Sequence, residues 1–314
     1  MARAFVFPGQ GSQAVGMGRE MAEAFPAARL VFEEVDEALH QNLSRLMFEG
    51  PESELTLTEN AQPAIMAASL AVLRVLEADG KLDIGMRCKF VAGHSLGEYS
   101  ALAAAKSLGV AQAARLLRTR GQAMQKAVPV GEGAMAALIG LDLNAVDEIA
   151  ALAAAETKSI CAPANDNAPG QIVVSGAKDA VAFAMAEAGK RGARAVMLPV
   201  SAPFHCALMK SAAETMESAL ADADLADPLV PVIANVTAEP VQDAEEIRRL
   251  LVEQVTSMVR WRESVLYMKA HDVDMLIEIG AGRVLAGLTK RIDREIAALS
   301  VGTPADVEKF LASV

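Results

Sequence analysis

The residues that most restrict how this chain can fold are Gly93-His94-Ser95-Leu96-Gly97, set between a short strand-like stretch at 89–92 and a helix-periodic stretch at 96–107. Two glycines flanking a serine permit a turn too tight for residues that carry a Cβ. With a strand before it and a helix after it, the turn becomes a strand-to-helix reversal. Such reversals belong to parallel sheets, in which a helix carries the chain back after each strand. The same alternation recurs at both ends. Residues 4–7 read as a strand ending in Pro8-Gly9-Gln10-Gly11-Ser12, and 63–78 has helical periodicity that stops before Gly80. Late in the chain, 274–279 reads as a strand, 283–292 as a helix and 296–301 as a last strand.

The middle follows another order. Strands are expected at 134–140, 159–162, 171–174 and 194–199, with helices at 144–156 and 178–191. Asn144 is placed to cap the first of these helices. The cluster Asn165-Asp166-Asn167-Ala168-Pro169-Gly170 is turn chemistry. The resulting β-α-β-β-α-β order is that of a ferredoxin-like unit. We therefore expect an α/β protein with a large parallel-sheet domain, residues 1–127 and 201–314, interrupted by a small ferredoxin-like domain at 128–200. Ser95 and His205 flank the insertion, so a cleft between the two domains is the natural place for a site.

Composition narrows the setting. Hydrophobic residues make up 53% of the 314 residues but aromatics only 4%, so the core must be built from Ala, Val, Leu, Ile and Met. The formal net charge of −11, with no basic tract, argues against a nucleic-acid partner, which needs clustered Lys and Arg. Apolar runs such as 149–155 are too short for a bilayer, so no membrane role is expected. The N-terminal MARAFVFPGQ reads as a buried strand rather than a secretory signal. Cys88, Cys161 and Cys206 stand far apart, which suits a reducing cytoplasm and suggests neither disulfides nor a metal site.

The elbow exposes Ser95 at the start of a helix, whose free N–H groups and dipole favour a nearby anion. A serine nucleophile needs a base. Of the four histidines, His40 lies on a polar helix and His94 should point away from Ser95. His205 follows Pro199-Val200-Ser201-Ala202-Pro203-Phe204 and is best placed for a cleft, with His271 the alternative. An esterase-like triad of Ser95, an acid among Asp224, Asp227 and Asp243, and His271 therefore stays open. On the helix at 111–128, Arg115, Arg118 and Arg120 read on spacing alone as a solvated face.

Four motifs in order resolve these choices by resemblance. Phe7-Pro8-Gly9-Gln10-Gly11-Ser12-Gln13, Gly93-His94-Ser95-Leu96-Gly97-Glu98, Arg120-Gly121 followed by Met124-Gln125, and Pro203-Phe204-His205-Cys206 resemble the malonyl-CoA:acyl carrier protein transacylases of fatty acid synthesis. The likeness extends to Asn60-Ala61-Gln62-Pro63-Ala64 and to Glu278-Ile279-Gly280-Ala281-Gly282, where the family often has Pro in place of Ala281. The resemblance implies a hydrolase-like large domain carrying the ferredoxin-like insert. It also implies that Ser95 carries malonyl as an ester, with His205 as base, oriented by the backbone carbonyl of Gln254. The N–H groups of Gln10 and Leu96 would hold the oxyanion. Arg120 would bind the malonyl carboxylate, a role suited to its two-pronged fork. Phe204 and Leu96 fit the malonyl-selecting pattern, and Gln62 and Asn165 would line the pocket. No cofactor is implied, because coenzyme A and phosphopantetheine thiols are substrates. The implied partners are malonyl-CoA and an acidic acyl carrier protein, and the enzyme is expected to be a monomer. Lys190, Arg191 and Arg194, or Arg115, Arg118 and Lys126, could face that carrier.

Overall fold

Strands buried on both faces read as unbroken hydrophobic runs rather than alternating ones. The run from Ala4 to Phe7 behaves this way, with every side chain sealed from solvent. The structure, a computed structural model, describes residues 2–200 and 202–313. The domain boundary expected at Ser201, and the chain ends Met1 and Val314, lie outside the described residues. In chain order the strands are β1 (Ala2–Phe7), β2 (Phe90–Gly93), β3 (Gly133–Ile139), β4 (Cys161–Ala168), β5 (Gln171–Ala177), β6 (Arg194–Met197), β7 (Val232–Ile233), β8 (Pro240–Val241), β9 (Val273–Ile279) and β10 (Ala297–Val301).

They form two sheets. The first runs β10-β9-β1-β2-β7-β8, parallel except for β8 at its edge. Phe7 stands opposite Gly93 in the register of β1 and β2, so the loops leaving these strands lie side by side. In open α/β sheets, ligands bind at the carboxyl ends of such strands. The long helix Thr58–Ala78 is the one described helix long and apolar enough to cross a bilayer, yet it is buried along most of its length in the protein core. It begins five residues before the expected start.

The second sheet is antiparallel, in the order β4-β5-β3-β6, with helices Leu143–Thr157 and Lys178–Lys190 on one face. This is the ferredoxin-like βαββαβ unit. Ala136, Leu138, Ile172 and Val174 pack on those helices, whereas Met135, Ala137 and Val173 join the main core from the opposite face. The sheet is therefore buried on both sides, and one side is continuous with the first sheet's core.

Two local expectations need correcting. Asp142, not Asn144, caps the helix at 143–157, its carboxylate accepting from Ala145 N at 2.8 Å. Residues 165–168, read as turn, complete β4. The chain turns only at Pro169-Gly170: Asn165, Asp166 and Ala168 pair with Val173, Ile172 and Gln171 of β5, and on the other side Asp166 N donates to Val259 O and Val259 N donates to Ala164 O, both at 2.9 Å. The Asp166 carboxylate is buried against Arg262.

Candidate active site

The elbow needs its glycines for space. A Cβ on Gly93 would come within 1.9 Å of the Gly97 carbonyl, and one on Gly97 within 2.3 Å of Phe7 O. Ser95 between them has φ +53, in the left-handed region that side chains avoid. The surroundings over-determine this strained conformation. Ser95 N donates to Asn235 Oδ1 at 2.7 Å, and Asn235 Nδ2 donates to Gly93 O at 2.6 Å. His94 N donates to Phe7 O at 3.0 Å, tying the elbow to the end of β1. Gly9 serves the same packing, since a Cβ there would meet His94 O at 2.7 Å.

His205 Nε2 lies 2.8 Å from Ser95 Oγ, and His205 Nδ1 lies 2.9 Å from the Gln254 carbonyl. Gln254 ends helix Ala244–Gln254, so its carbonyl is among the last-turn groups without an intrahelical partner. A carbonyl can only accept, which places the ring proton on Nδ1 and leaves the Nε2 lone pair facing the serine. Burial, reinforced by the Arg120 charge, pushes the His205 pKa down to about 3, so the ring is a neutral base. The negative end of the helix dipole stands ready for the imidazolium that forms on proton transfer. His271 takes no part. It is exposed at the end of helix Trp261–Ala270, stacked on Tyr267. Asp227 and Asp243 accept N–H groups at the start of helix 244–254 and Asp224 is exposed; among the described residues none of the three is bonded to a histidine, so the alternative triad is not assembled.

Arg120 leaves the solvated face assumed from spacing. It lies on helix Val110–Ala127, 1% exposed, with Nη1 donating to Gln62 Oε1 at 2.8 Å. Its Nη2 donates to Ser95 Oγ at 3.0 Å and to Gln254 Oε1 at 2.8 Å. Its Nε has no hydrogen-bond partner among the described residues. A fully buried guanidinium with an unused donor beside a nucleophile is suited to receive an anion.

Ser95, Arg120 and His205 open onto a cavity of about 620 Å³ between the two sheets, which Gln10, Phe204 and Asn165 also line. Leu96 is the N-cap of helix Gly97–Ala104. The N–H groups of Gln10 and Leu96 are not taken up by other groups among the described residues; Gln10 lines the cavity with Ser95, and Leu96 follows Ser95 in the chain. Sequence reasoning missed three groups here. Asn235 holds the elbow backbone. Asn167 Oδ1 meets His94 Nε2 at 2.8 Å. Glu98, quoted only as part of a motif, is buried behind the elbow. Of the basic clusters, Lys190 and Arg191 are paired with Glu187 and Glu148, so their charge is largely compensated.

A family model described as an acyl transferase domain matches residues 4–302. The malonyl CoA-acyl carrier protein transacylase of Bacillus subtilis is 46% identical over 306 residues, covering 97% of this chain and 95% of its own. Among solved structures, an acyl-carrier-protein S-malonyltransferase from Bartonella henselae superposes with a TM-score of 0.97 at 56% identity, covering 100% of this chain and 99% of that one. A malonyl-transacylase solved in complex with its type II PKS acyl-carrier protein superposes with a TM-score of 0.96 at 43% identity, covering 100% of both chains.

Proposed function

The chain belongs to the family of malonyl CoA-acyl carrier protein transacylases, an acyltransferase family of fatty acid synthesis, and on that premise we propose that it moves malonyl from coenzyme A to a carrier thiol through an ester on Ser95. His205 Nε2 takes the Ser95 hydroxyl proton as Oγ attacks the thioester carbonyl. The Gln10 and Leu96 N–H groups receive the oxyanion. As the C–S bond breaks, the same proton passes from Nε2 to the departing thiolate. The phosphopantetheine thiol of the carrier then gives its proton to His205 and attacks the ester, and the steps run in reverse. Both thiols are substrates, so the reaction needs no cofactor. We keep the cytoplasm as its setting, a reading supported by the three free cysteines.

The choice of malonyl rests on one observation: the buried Arg120 guanidinium reaches within 3.0 Å of Ser95 Oγ. An acyl group carrying a carboxylate one carbon beyond its thioester would bring that carboxylate to the fork. Phe204, 7% exposed, closes the pocket wall. Intact-protein mass spectrometry after mixing with malonyl-CoA tests the reading. A single malonyl adduct is expected, mapping to Ser95 and absent from Ser95→Ala. An adduct that survives in that variant, or maps to Cys206, would discard Ser95 as the acyl carrier.

A further inference from the structure

Behind the elbow lies a carboxylate that the transfer steps leave unused. Glu98, 2% exposed, sits in the first turn of helix Gly97–Ala104, in which every residue is buried. A carboxylate this deep is tolerated only where charge and hydrogen bonds meet it. Its Oε2 accepts from Asn235 N at 3.0 Å and from Gln254 Nε2 at 2.9 Å. The other end of the Gln254 amide, Oε1, accepts from Arg120 Nη2 at 2.8 Å, and that nitrogen also donates to Ser95 Oγ. Cation, amide and anion thus stand in a row, with the amide dipole aligned between opposite charges. A reversed amide would set N–H against guanidinium and oxygen against carboxylate.

The other buried ionisable groups packed around the nucleophile are neutral, and the one further carboxylate on the cavity lining among the described residues, Glu52, is exposed. Burial holds His94 and His205 below the usual imidazole range and Tyr99 above the usual phenol range. Glu98 is the carboxylate whose charge reaches Arg120. Resting on the acyl-transfer reading, we propose that Glu98 is the resident counter-ion of Arg120, a positioning residue whose charge, relayed through the Gln254 amide, sets how strongly the site prefers acyl groups that carry a carboxylate.

The physical consequence has a definite sign. When a malonyl carboxylate reaches Arg120, the pocket holds two anions against one cation, and Glu98 opposes the group that Arg120 attracts. Removing the Glu98 charge strengthens the hold on malonyl. An uncharged acyl group then faces an unbalanced buried guanidinium. Burial raises the Glu98 pKa to about 7, so the charge is present above that pH and is lost as pH falls through it.

Glu98→Gln removes the charge while keeping an oxygen where Asn235 N and Gln254 Nε2 donate. The quantity to measure is the ratio of kcat/KM for Ser95 loading by malonyl-CoA and by acetyl-CoA, donors that share everything but the carboxylate. We expect the ratio to rise about tenfold in E98Q, the scale of one charge acting across a partly screened site. In the unsubstituted enzyme the ratio should climb as pH falls through about 7, and in E98Q it should stay flat. A merely structural Glu98 would lower both donors in parallel and leave the ratio unmoved, which overturns the proposal. A wild-type ratio independent of pH overturns it too, and decides alone if E98Q does not fold. Failure of malonyl-CoA to load Ser95 in the unsubstituted enzyme would overturn the acyl-transfer reading, and this one with it.

Discussion

A histidine oriented by a peptide carbonyl instead of a carboxylate gains direction without a negative partner. Gln254 O fixes the tautomer of His205, while burial and Arg120 keep the ring neutral down to about pH 3. The sign follows: a base must be neutral, so its capacity is full above that value and is lost only as pH falls through it. In an NMR titration of labelled histidine, the His205 ring should remain in its Nδ1-protonated neutral form where ordinary imidazoles take up a proton, near 6.5. Protonation of His205 near that ordinary value would mean that the site is wetter or less cationic than its geometry requires. Ser95, His205 and Arg120 could be read from the chain because each carries its motif beside it. Glu98 and Asn235 could not, since their meaning lies in partners across the fold: Asn235 N and Glu98 are 137 residues apart. One clue was available. A lone carboxylate opening the apolar stretch Tyr99-Ser100-Ala101-Leu102-Ala103-Ala104 must either be buried or break the pattern.

Arg120 owes its place to the crossing of two helices. Val110–Ala127 meets Thr58–Ala78 at Gly121, where a Cβ would stand 2.6 Å from Glu59 Cα and 2.7 Å from Thr58 O. These are backbone atoms and cannot step aside. Immediately beside this contact Arg120 reaches Gln62, so the glycine sets the depth at which the guanidinium sits. Gly121→Ala should separate the helices, costing about 1–3 kcal/mol of stability, the usual range for overpacking. It should also lower loading by malonyl-CoA more than loading by acetyl-CoA. Thermal melts paired with the two loading rates measure this, and an unchanged preference between donors would free Arg120's position from the crossing. The helix was legible from its period, but its buried face was not. Ala113, Leu117 and Met124 share one stripe with Arg120 at helical spacing, a signal that three scattered arginines obscured. β4 misled for another reason. Asn and Asp favour turns locally, but pairing of 165–168 with β5, and of Asp166 with Val259, offers backbone partners that outweigh that preference.

Across the whole molecule the site is divided. Ser95, Arg120, His205 and Gln254 come from segments around the parallel sheet, while Met135 and Asn165 come from the antiparallel one. That a cleft would form was legible, because the inserted unit separates Ser95 from His205 along the chain. What seats one unit on the other was not, because the partners are 96 residues apart. Asp166 on β4 is 1% exposed at its side chain and accepts from Arg262 Nε at 3.1 and 2.9 Å, with Nη2 at 2.7 Å. Asn165, its neighbour, lines the cavity, and Asn167, on its other side, holds His94. The clamp thus bears on the substrate wall and on the elbow together. Arg262→Ala would strand a buried carboxylate, a loss of about 3–5 kcal/mol when one partner of such a pair is removed. Asp166→Asn should cost less, because Arg262 is 28% exposed and can turn to water. A clamp that shapes the cleft should leave the Ser95–His205 pair intact. In Arg262→Ala, then, KM for malonyl-CoA should rise, while Ser95 keeps its reactivity toward a small sulfonyl fluoride that needs no cleft wall. If Arg262→Ala melts with the unsubstituted protein and keeps its KM, the two units are held by their shared apolar core, through Met135, Ala137 and Val173, and the ion pair adds nothing to the cleft.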